Sequence, residues 1–451
     1  MNKQYFGTDG IRGRVGDALI NPDFCMRLGW SAGRTLAADG RRPLVILGKD
    51  TRNSGYMLES ALEAGFSAAG ADVALLGPIP TPAVAYLTRT MRADLGVVVT
   101  ASHNPFDDNG VKFFDGEANK LSDSMELSIE SELDTALSSI SASELGRVFR
   151  VDDARGRYVE FCKRTIDTKM RFDGLHVVVD CANGAGYAVA PRIFRELGAD
   201  VVAISVNPDG SNINRNCGST HPEFLGEKVV ELSADVGIAL DGDADRVIMI
   251  DSGGEIVDGD ELIYVIALSM QMSGRLSGGV VGTEMSNGGL HAAFEDLGIP
   301  FERASVGDRH VVELLRDKGW ELGGESSGHI VCLNWANTGD GIVSALQVLS
   351  EMVKQDRSLS DLKSGMTKLP QELINVHVED PDAALTHANV VHAISEVEQR
   401  LGNEGRVLVR ASGTEPLLRV MVEGGSYTDV RRYVEKIANV ASTLGNNRAR
   451  T

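Results

Sequence analysis

The feature that most constrains the fold is a pattern that occurs three times: a short apolar segment runs into a polar loop that contains glycine. The segments are LVILGKDTR (44–52), HVVVDCANGAG (176–186) and GGVVGTEMSNGG (278–289). Such runs are typical of buried strands. Each is followed by helical spacing of apolar residues and by a second strand-to-loop junction, at GVVVTASHNP (96–105), GIALDGDADR (237–246) and ELGGESSGH (321–329). The pattern predicts three similar α/β modules whose loops meet in a shared cleft.

The last part of the chain has a different pattern. After QDRSLSDLKSG (355–365) and Pro370, the segments INVHVED, RVLVRASGTE and LLRVMVEGG alternate as strands do, and TDVRRYVEKIANVASTL has helical spacing. A chain of 451 residues also exceeds the ~250–300 residues at which single cores stop growing. We therefore predict three α/β sandwich domains with mixed sheets, at 1–150, 151–253 and 254–369, and a smaller α+β C-terminal domain at 370–451, around a central cleft.

Composition and charge exclude several classes of protein. Apolar residues make up 43% of the chain and charged residues 24%, which is typical of an ordered globular protein. The formal net charge of -20 opposes binding to nucleic acid or to anionic membranes, since both require a basic face. An anionic substrate would therefore need a local basic pocket.

The cysteines and the N-terminus favour a reducing, cytoplasmic location. The N-terminal residues MNKQYFGTDGIRG contain no apolar signal segment, and no apolar run is long enough to cross a bilayer. The five cysteines form no C-x-x-C pair, so neither a disulfide framework nor a zinc cluster is expected. They are Cys25, Cys162, Cys181, Cys217 and Cys332.

The acidic motif DGDADR between two apolar segments is the sharpest local feature. Asp241, Asp243 and Asp245 follow a strand-like run, so their carboxylates can converge on one hard cation, whereas without a cation they would repel one another. An EF-hand loop is excluded, because it requires Gly at its sixth and Glu at its twelfth position, where this chain has Arg246 and Ser252. Three carboxylates leave room for a phosphoryl oxygen or water, which favours Mg²⁺.

A second loop, TASHNP, places Ser102 at the end of an apolar strand, where Pro105 prevents a regular helix. No G-x-S-x-G elbow surrounds the serine, so the acyl transfer of α/β-hydrolases is not supported. A Ser-His pair is also typical of an ordinary turn, and the motif alone does not assign catalysis.

Two further loops carry groups suited to a phosphorylated sugar. GGESSGH (323–329) offers a carboxylate, hydroxyls and an imidazole, which can hydrogen-bond to sugar hydroxyls. RASGTEPLLR (410–419) offers hydroxyls, turn amides and two arginines, which suit a phosphate group, although it is no P-loop. The alternative for the first loop is a hydrogen-bonded turn, and the alternative for the second is a pair of arginines that solvate a small sheet.

Taken together, the loops give a specific resemblance. FGTDGIRG (6–13), TASHNP (100–105), DGDADR (241–246), GESSGH (324–329) and RASGTEPLLR (410–419) resemble the α-D-phosphohexomutase family in order and spacing over nearly the whole chain. Within it, FGTDGIRG, HNPFDDNGVKFF, SVGDR and GGESSGH most resemble the bacterial members that interconvert glucosamine 6-phosphate and glucosamine 1-phosphate. Those enzymes supply UDP-N-acetylglucosamine and peptidoglycan precursors.

The resemblance implies roles for individual residues. Ser102 would be the phosphorylated nucleophile and would complete a Mg²⁺ site with the three aspartates. Arg12, His103, Lys112 and Arg246 would surround the transferring group, and the hydroxyl proton would be handled by Lys112, His329 or Arg12. The substrate would be bound by the sugar and phosphate loops, at Arg309, Glu325, Ser327, Arg410, Ser412, Gly413, Thr414 and Arg419.

The resemblance also implies a 1,6-bisphosphate sugar as intermediate and activator, a phosphosugar substrate and a homodimer. It leaves open whether Ser102 is first phosphorylated by a kinase, by itself or from the bisphosphate. Three alternatives remain at this point: a phosphoglucomutase or phosphomannomutase of the same fold, a phosphatase that uses an aspartate nucleophile, and a sugar-phosphate sensor without catalysis.

Overall fold

The computed structural model of the chain describes residues 3–37, 41–402, 404–411 and 416–446. Its contacts divide the chain into two compact units, one within Met1–Thr283 and Glu302–Ser364, the other within Glu284–Phe301 and Gly365–Thr451. The boundaries of the four domains given above stay a prediction. In the described part of the chain no helix combines the length and apolarity needed to cross a membrane.

The first module is built on a mixed sheet. Its elements are β1 (Ile11–Arg14), α1 (Pro22–Leu36), β2 (Leu44–Lys49), α2 (Asn53–Ala68), β3 (Asp72–Pro78), α3 (Thr81–Thr90), β4 (Leu95–Val99), β5 (Asp108–Asp115), α4 (Asp123–Leu133) and β6 (Val148–Arg150). The strand order is β1-β5-β4-β2-β3-β6, with β5 antiparallel to β1 and β4 and the others parallel. Val45 and Leu47 face a core shared with α1, α2 and α4, while Gly48 lies against Val84 of α3. The sheet is therefore covered on both faces.

The second module repeats this plan. It contains α5 (Ala154–Arg164), β7 (His176–Asp180), α6 (Ala190–Glu196), β8 (Asp200–Ile204), α7 (Pro222–Leu232), β9 (Val236–Leu240), β10 (Val247–Asp251) and β11 (Ile256–Val257). The strand order is β11-β10-β9-β7-β8. β7, β8 and β9 are parallel, whereas β10 is antiparallel to β9 and β11.

The third sheet is smaller. It involves α8 (Gly259–Met272), β12 (Val280–Thr283), α9 (Gly288–Asp296), β13 (Phe301–Ala304), α10 (Asp308–Lys318), β14 (Leu322–Gly324), β15 (Ile330–Cys332), α11 (Gly341–Gln355) and α12 (Leu359–Lys363). The order is β13-β12-β14-β15, with β12 parallel to β14 and β14 antiparallel to β15. α8 begins with a capping box, in which the Asp258 side chain bonds the first-turn amides and Glu261 bonds back to the Asp258 amide.

The second unit contains an antiparallel sheet in the order β16-β18-β17. Its elements after α12 are β16 (Gln371–His377), α13 (Pro381–Thr386), α14 (Ala388–Leu401), β17 (Gly405–Ala411), β18 (Leu417–Gly424) and α15 (Tyr427–Asn446). Arg406 of β17 donates to the Glu284 and Ser286 carbonyls at 2.5 and 2.6 Å and to the Glu423 carboxylate at 3.0 Å. These bonds attach the segment before α9 to this sheet.

The three larger sheets share one topological feature that positions the site. In each, a strand parallel to its neighbour is followed by an antiparallel partner, which makes the hairpins β4–β5, β9–β10 and β14–β15 equivalent. The loops of these hairpins carry TASHNP, DGDADR and GESSGH. The predicted α/β class with mixed sheets is confirmed, as are the strands and the closing helix expected near the C-terminus.

Candidate active site

The β4–β5 loop carries Ser102 in an unusual backbone conformation. Its φ of 52° lies in the left-handed region, which is uncommon for a residue other than glycine. The serine is 1% exposed, and its hydroxyl donates to Asp241 Oδ2 at 2.6 Å. The His103 ring nitrogen Nδ1 lies 3.4 Å from the same hydroxyl. The predicted nucleophile and the first aspartate of the acidic motif are therefore in direct contact.

The β9–β10 loop brings the three aspartates of the motif together. One carboxylate oxygen from each of Asp241, Asp243 and Asp245 lies within 4.8 Å of the others. Asp241 and Asp243 are 0% exposed and Asp245 is 3% exposed. Thr81, at the start of α3, donates its hydroxyl to Asp243 Oδ2 at 2.6 Å and thereby fixes that carboxylate.

Two of these buried carboxylates, those of Asp241 and Asp245, have shifted pKa values. Burial, together with the charges of Asp245 and Asp243, raises the pKa of Asp241 well above its ordinary value. For Asp245, the effect of burial is outweighed by Lys112 and His329, which hold its pKa well below the ordinary range. The Lys112 ammonium lies 2.9 Å from both Asp243 Oδ2 and Asp245 Oδ2. One lysine therefore compensates part of the negative charge.

These residues fit a divalent cation. Among the described residues, the buried Asp243 Oδ1 has no hydrogen-bond partner, which is costly unless a cation or another group satisfies it. A set of three carboxylates and a hydroxyl is an all-oxygen donor set, the kind that Mg²⁺ prefers. The triad can therefore hold a metal, in agreement with the prediction from DGDADR.

Arg12 lies in β1 beside the acidic loop. It is bonded to Asp9, and the Asp9 carboxylate lies 3.3 Å from the Lys112 ammonium. Burial would lower the pKa of Arg12, but Asp9 and Asp243 raise it above its usual range. Asp9 also accepts from Lys120 at 2.6 Å. Arg12 and Lys112 therefore both belong to one buried network of opposite charges.

Arg246 and His103 differ in charge. The pKa of Arg246 is raised, because Asp245 and Asp241 outweigh its burial. The pKa of His103 is lowered to about 4 by burial and by the charges of Arg246 and Arg12. With Ser102 unphosphorylated, His103 is therefore a neutral imidazole near pH 7 that interacts with the serine by hydrogen bonding.

The β14–β15 loop brings His329 onto the acidic motif. Its Nδ1 lies 3.6 Å from Asp245 Oδ1 and its Nε2 lies 3.5 Å from Asp308 Oδ2. The Gly339 amide donates to Nε2 at 3.1 Å, so among the neutral tautomers it favours the one with its proton on Nδ1. Burial lowers the pKa of His329, but the two aspartates raise it above the ordinary value. His329 is therefore held between two carboxylates.

The remaining residues of this loop are more accessible. Glu325 is partly buried and accepts the Gly307 amide at 3.1 Å, and Ser327 is exposed. The Arg309 guanidinium binds other residues: it donates to Asp123 and Glu126, both at 2.7 Å. The role of Arg309 in substrate binding stays a prediction.

The predicted phosphate loop lies in the second unit. Arg410 of β17 and Arg419 of β18 are direct register partners across the sheet, so their side chains leave neighbouring backbone positions. Ser412, Gly413 and Thr414 lie outside the described residues.

In the first unit, the structure brings together ten of the predicted site residues. They are Arg12, Ser102, His103, Lys112, Asp241, Asp243, Asp245, Arg246, Glu325 and His329.

Sequence reasoning did not assign several residues that contact this site. Asp9 and Asp308 both accept from Lys120, at 2.6 and 2.7 Å, although the chain separates Lys120 and Asp308 by 188 positions. Arg52 and Asn214 hydrogen-bond to the backbone of the Ser102 loop. Asp9 and Arg52 lie in loops that follow the recognised pattern, FGTDGIRG and LGKDTR, and that position is the signal that could have identified them.

Comparison with protein families assigns all four parts of the chain. The alpha/beta/alpha domains I, II and III of "Phosphoglucomutase/phosphomannomutase" match residues 3–139, 156–254 and 258–369. Its C-terminal domain matches residues 373–440. Together these matches cover most of the chain.

Individual proteins similar to this chain carry names from the same family. A phosphoglucosamine mutase from Legionella pneumophila (strain Lens) is 56% identical over 442 residues, covering 98% of this chain and 97% of that protein. A phosphoglucomutase/phosphomannomutase family protein from Burkholderia thailandensis has a TM-score of 0.80 at 24% identity, with 97% of each chain covered. Aspergillus fumigatus N-acetylphosphoglucosamine mutase, solved with GlcNAc-6P and magnesium, has a TM-score of 0.68 at 19% identity, with 98% and 96% covered. The chain belongs to the phosphoglucomutase/phosphomannomutase family, the α-D-phosphohexomutases that its loops resemble.

Proposed function

We propose that this protein is a phosphoglucosamine mutase, which interconverts glucosamine 6-phosphate and glucosamine 1-phosphate through a phosphorylated Ser102. The observation that carries the phosphoryl-transfer part is the contact of 2.6 Å between the Ser102 hydroxyl and Asp241, inside the buried acidic triad. A hydroxyl held on a carboxylate cluster that fits a divalent cation is placed to carry a phosphoryl group. The choice of an amino sugar is supported by the 56% identity to a relative of that name.

The proposed metal is one Mg²⁺ per chain, held by Asp241, Asp243, Asp245 and an oxygen of phosphorylated Ser102. When bound, it would neutralise negative charge on the phosphoryl group during transfer. Phosphorylation adds about -1.5 to -2 charges to the serine at neutral pH, which the buried cations around the loop would help to compensate.

The side chains around Ser102 are suited to stabilise a phosphoryl group in transfer. Arg12, Lys112 and Arg246 are buried or largely buried cations whose pKa values are raised. Fixed positive charges in a site with little water stabilise the charge of the transition state without reorganisation. His103, beside the serine hydroxyl, would donate or accept a hydrogen bond in its neutral form.

In the first half-reaction, the O1 hydroxyl of glucosamine 6-phosphate attacks the phosphoryl group on Ser102 and gives up its proton, while the bond between phosphorus and the Ser102 oxygen breaks and that oxygen takes up a proton. The resulting 1,6-bisphosphate then turns around. In the second half-reaction, the Ser102 hydroxyl attacks the 6-phosphoryl group and gives up its proton, and the departing O6 takes up a proton, which leaves glucosamine 1-phosphate. We assign the proton transfer to one of Lys112, His329 and Arg12. His329 is favoured by its position, since its ring nitrogens lie 3.6 Å from Asp245 and 3.5 Å from Asp308, and an imidazole placed there can take up and release a proton.

Substrate binding is divided between two regions. We propose that Glu325 and Ser327 of the half-open β14–β15 loop bind the sugar hydroxyls, with Arg309 nearby in the same domain. Arg410, Ser412, Gly413, Thr414 and Arg419 would bind the phosphate that is not reacting. Predicted domains 1–150, 151–253, 254–369 and 370–451 would then supply the phosphoserine loop, the metal, the sugar contacts and the phosphate contacts.

We further propose a cytoplasmic enzyme, since all five cysteines are free and buried and its product would serve peptidoglycan precursor synthesis. First phosphorylation of Ser102 would come from a kinase, from self-phosphorylation or from the bisphosphate. A homodimer is proposed from the family resemblance.

The test of the proposed function is the ratio of kcat/KM for glucosamine 6-phosphate, glucose 6-phosphate and mannose 6-phosphate, with Mg²⁺ and a trace of each 1,6-bisphosphate. A clear preference for the amino sugar is expected. A preference for glucose or mannose would contradict the amino-sugar assignment and keep the fold and mechanism. Absence of turnover on all three, with release of inorganic phosphate or binding alone, would favour the phosphatase or the sensor.

A further inference from the structure

Arg52 is one of the largest fully buried side chains, and it is not among the residues predicted to react. It follows β2, and both its guanidinium and the Asp50 carboxylate beside it are 0% exposed. Arg52 Nε donates to Asp50 Oδ2 at 2.8 Å. A buried arginine is expensive unless its donors are satisfied, so the other partners of this guanidinium define what it does.

Those partners are backbone carbonyls of the loop that carries Ser102. Nη2 donates to the Ser102 carbonyl at 3.0 Å and to the Asn104 carbonyl at 2.9 Å. Nη1 donates to the Pro105 carbonyl and, at 3.2 Å, to that of Asp108. One guanidinium therefore donates to four carbonyls of the same loop. The planar arrangement of arginine donors permits this geometry, whereas the ammonium group of a lysine does not.

Asn214 binds the same loop from the second module. Its Nδ2 donates to the carbonyls of Ser102 and Asn104, at 2.9 and 3.1 Å, the two that also accept from Arg52 Nη2. The backbone amide of Ser102 is also bound: it donates to the Thr100 hydroxyl at 2.9 Å, and that hydroxyl donates to the Asp50 carboxylate at 2.7 Å. The backbone groups on both sides of the Ser102 side chain are thus fixed.

The conformation held in this way is a strained one. Ser102 has φ 52°, where the side chain of an L-residue is crowded and free energy is lost relative to the extended or helical regions. This conformation directs the hydroxyl to Asp241 at 2.6 Å. A loop released from its carbonyl contacts would relax, and the serine oxygen would leave the acidic triad.

We infer that Arg52 and Asn214 are positioning residues for phosphoryl transfer, which hold Ser102 in its left-handed conformation and so fix the position of its phosphoryl group. This inference rests on the proposed function. It differs from a structural role because it predicts a loss in the chemical step and in protection from water, both at temperatures where the fold is intact. Misplacement of a reacting atom by about 1 Å can lower a rate about 100-fold.

The test compares Arg52→Lys and Asn214→Ala with Arg155→Lys and the wild type. Arg155 is a matched control, since it also donates to a backbone carbonyl, that of Pro78 at 3.3 and 3.1 Å, but has no contact with the Ser102 loop. kcat and KM for glucosamine 6-phosphate are measured below the melting temperature of each variant. The release of inorganic phosphate per mutase turnover is measured in the same reactions.

Arg52→Lys is expected to lower kcat about 100-fold with KM changed less than about threefold, and to raise the share of phosphate lost to water. Asn214→Ala, which removes two neutral hydrogen bonds, is expected to lower kcat about tenfold. Arg155→Lys should match the wild type in both readouts.

The inference is overturned if folded Arg52→Lys keeps a wild-type kcat and phosphate release. If Arg52→Lys does not fold, Asn214→Ala decides, and wild-type kcat in that variant overturns the inference. Absence of mutase turnover in the wild type is a different result, because it contradicts the proposed function itself.

Discussion

The hairpin loops that carry Ser102 and Glu325 are equivalent in topology, yet they are held in opposite ways. Ser102 itself is buried, and side chains from two modules bind the carbonyls of its loop. The Glu325 loop is partly open, and backbone bonds hold it: the Val247 amide donates to Gly328 and the Gly259 amide to Ser326, both at 3.0 Å. One position in an α/β sheet can therefore hold either a buried serine fixed by side chains or a loop held by backbone bonds, depending on what surrounds the loop.

Mutations in the two loops are expected to change different kinetic constants. We expect changes in the Ser102 and Asp241 loops to lower kcat, because these loops are proposed to supply groups that act in the transition state. We expect changes in the Glu325 loop mainly to raise KM, because its proposed contacts are with the bound sugar.

The largest effect is expected from Ser102→Ala. Removal of the hydroxyl removes the proposed carrier of the phosphoryl group, and kcat should fall at least about a thousandfold while the fold stays intact. The measurement is mutase turnover together with the circular dichroism spectrum. Full turnover by the folded variant would refute the phosphoserine mechanism.

Asp243→Asn should have the next largest effect. The amide keeps a similar size but removes one of three charges from the triad, so we expect kcat to fall about a hundredfold and the Mg²⁺ concentration for half-activity to rise. Activity is titrated with Mg²⁺ in the variant and in the control Asp173→Asn, whose carboxylate is exposed and pairs with Arg171. Equal titration curves for the two variants would exclude Asp243 as a metal ligand.

For Glu325→Gln we expect a smaller change of another kind. KM for glucosamine 6-phosphate should rise about tenfold, with kcat reduced less, because a charged hydrogen bond to a sugar hydroxyl is weakened. Phosphate on Ser102, measured by mass spectrometry, should stay at the wild-type level. The exposed Glu313→Gln serves as control, and a kcat loss without a KM change would place Glu325 with the reacting groups instead.

The smallest effect concerns Asp340, which lies between β15 and α11. It caps α11, accepts from the Tyr158 hydroxyl at 2.9 Å and is fully buried, and burial raises its pKa to about 6 from an ordinary 3.8. Because the folded state binds this proton more tightly than the unfolded state, the stabilisation is complete below about pH 4 and is lost as the pH rises through about 6.

Asp340→Asn keeps an oxygen that can cap the helix and removes the charge. Between pH 4 and pH 7, the free energy of unfolding of the wild type should therefore fall by about 1 to 3 kcal/mol more than that of the variant. Urea unfolding at both pH values measures this difference. Parallel pH dependence in the two proteins would mean that Asp340 is ionised in the fold throughout this range.

Much of the fold follows from sequence, because it depends on local patterns. The apolar runs before Ser102, Asp241 and Glu325 specify strands, and their recurrence specifies equivalent hairpins. The acidic triad was also predictable, since its members are two residues apart in one turn. These features need no knowledge of distant contacts.

The residues that hold the Ser102 loop in place could not be predicted from local sequence patterns. Arg52 reaches a carbonyl 50 positions away, and Asn214 reaches the same carbonyl across 112 positions. Backbone carbonyls are present at every residue, so no residue type in the sequence indicates which carbonyl is bound. The neutral state of His103 likewise depends on burial beside Arg246 and Arg12 rather than on sequence.

The most direct test of phosphoryl transfer through Ser102 is a single turnover with enzyme labelled by ³²P on Ser102 and mixed with unlabelled glucosamine 6-phosphate. If Ser102 carries the phosphoryl group, the label moves from the protein into sugar bisphosphate and then into the sugar monophosphate pool at the rate of catalysis. A label that stays on Ser102 while the sugar isomerises, or that leaves only as inorganic phosphate, would contradict it.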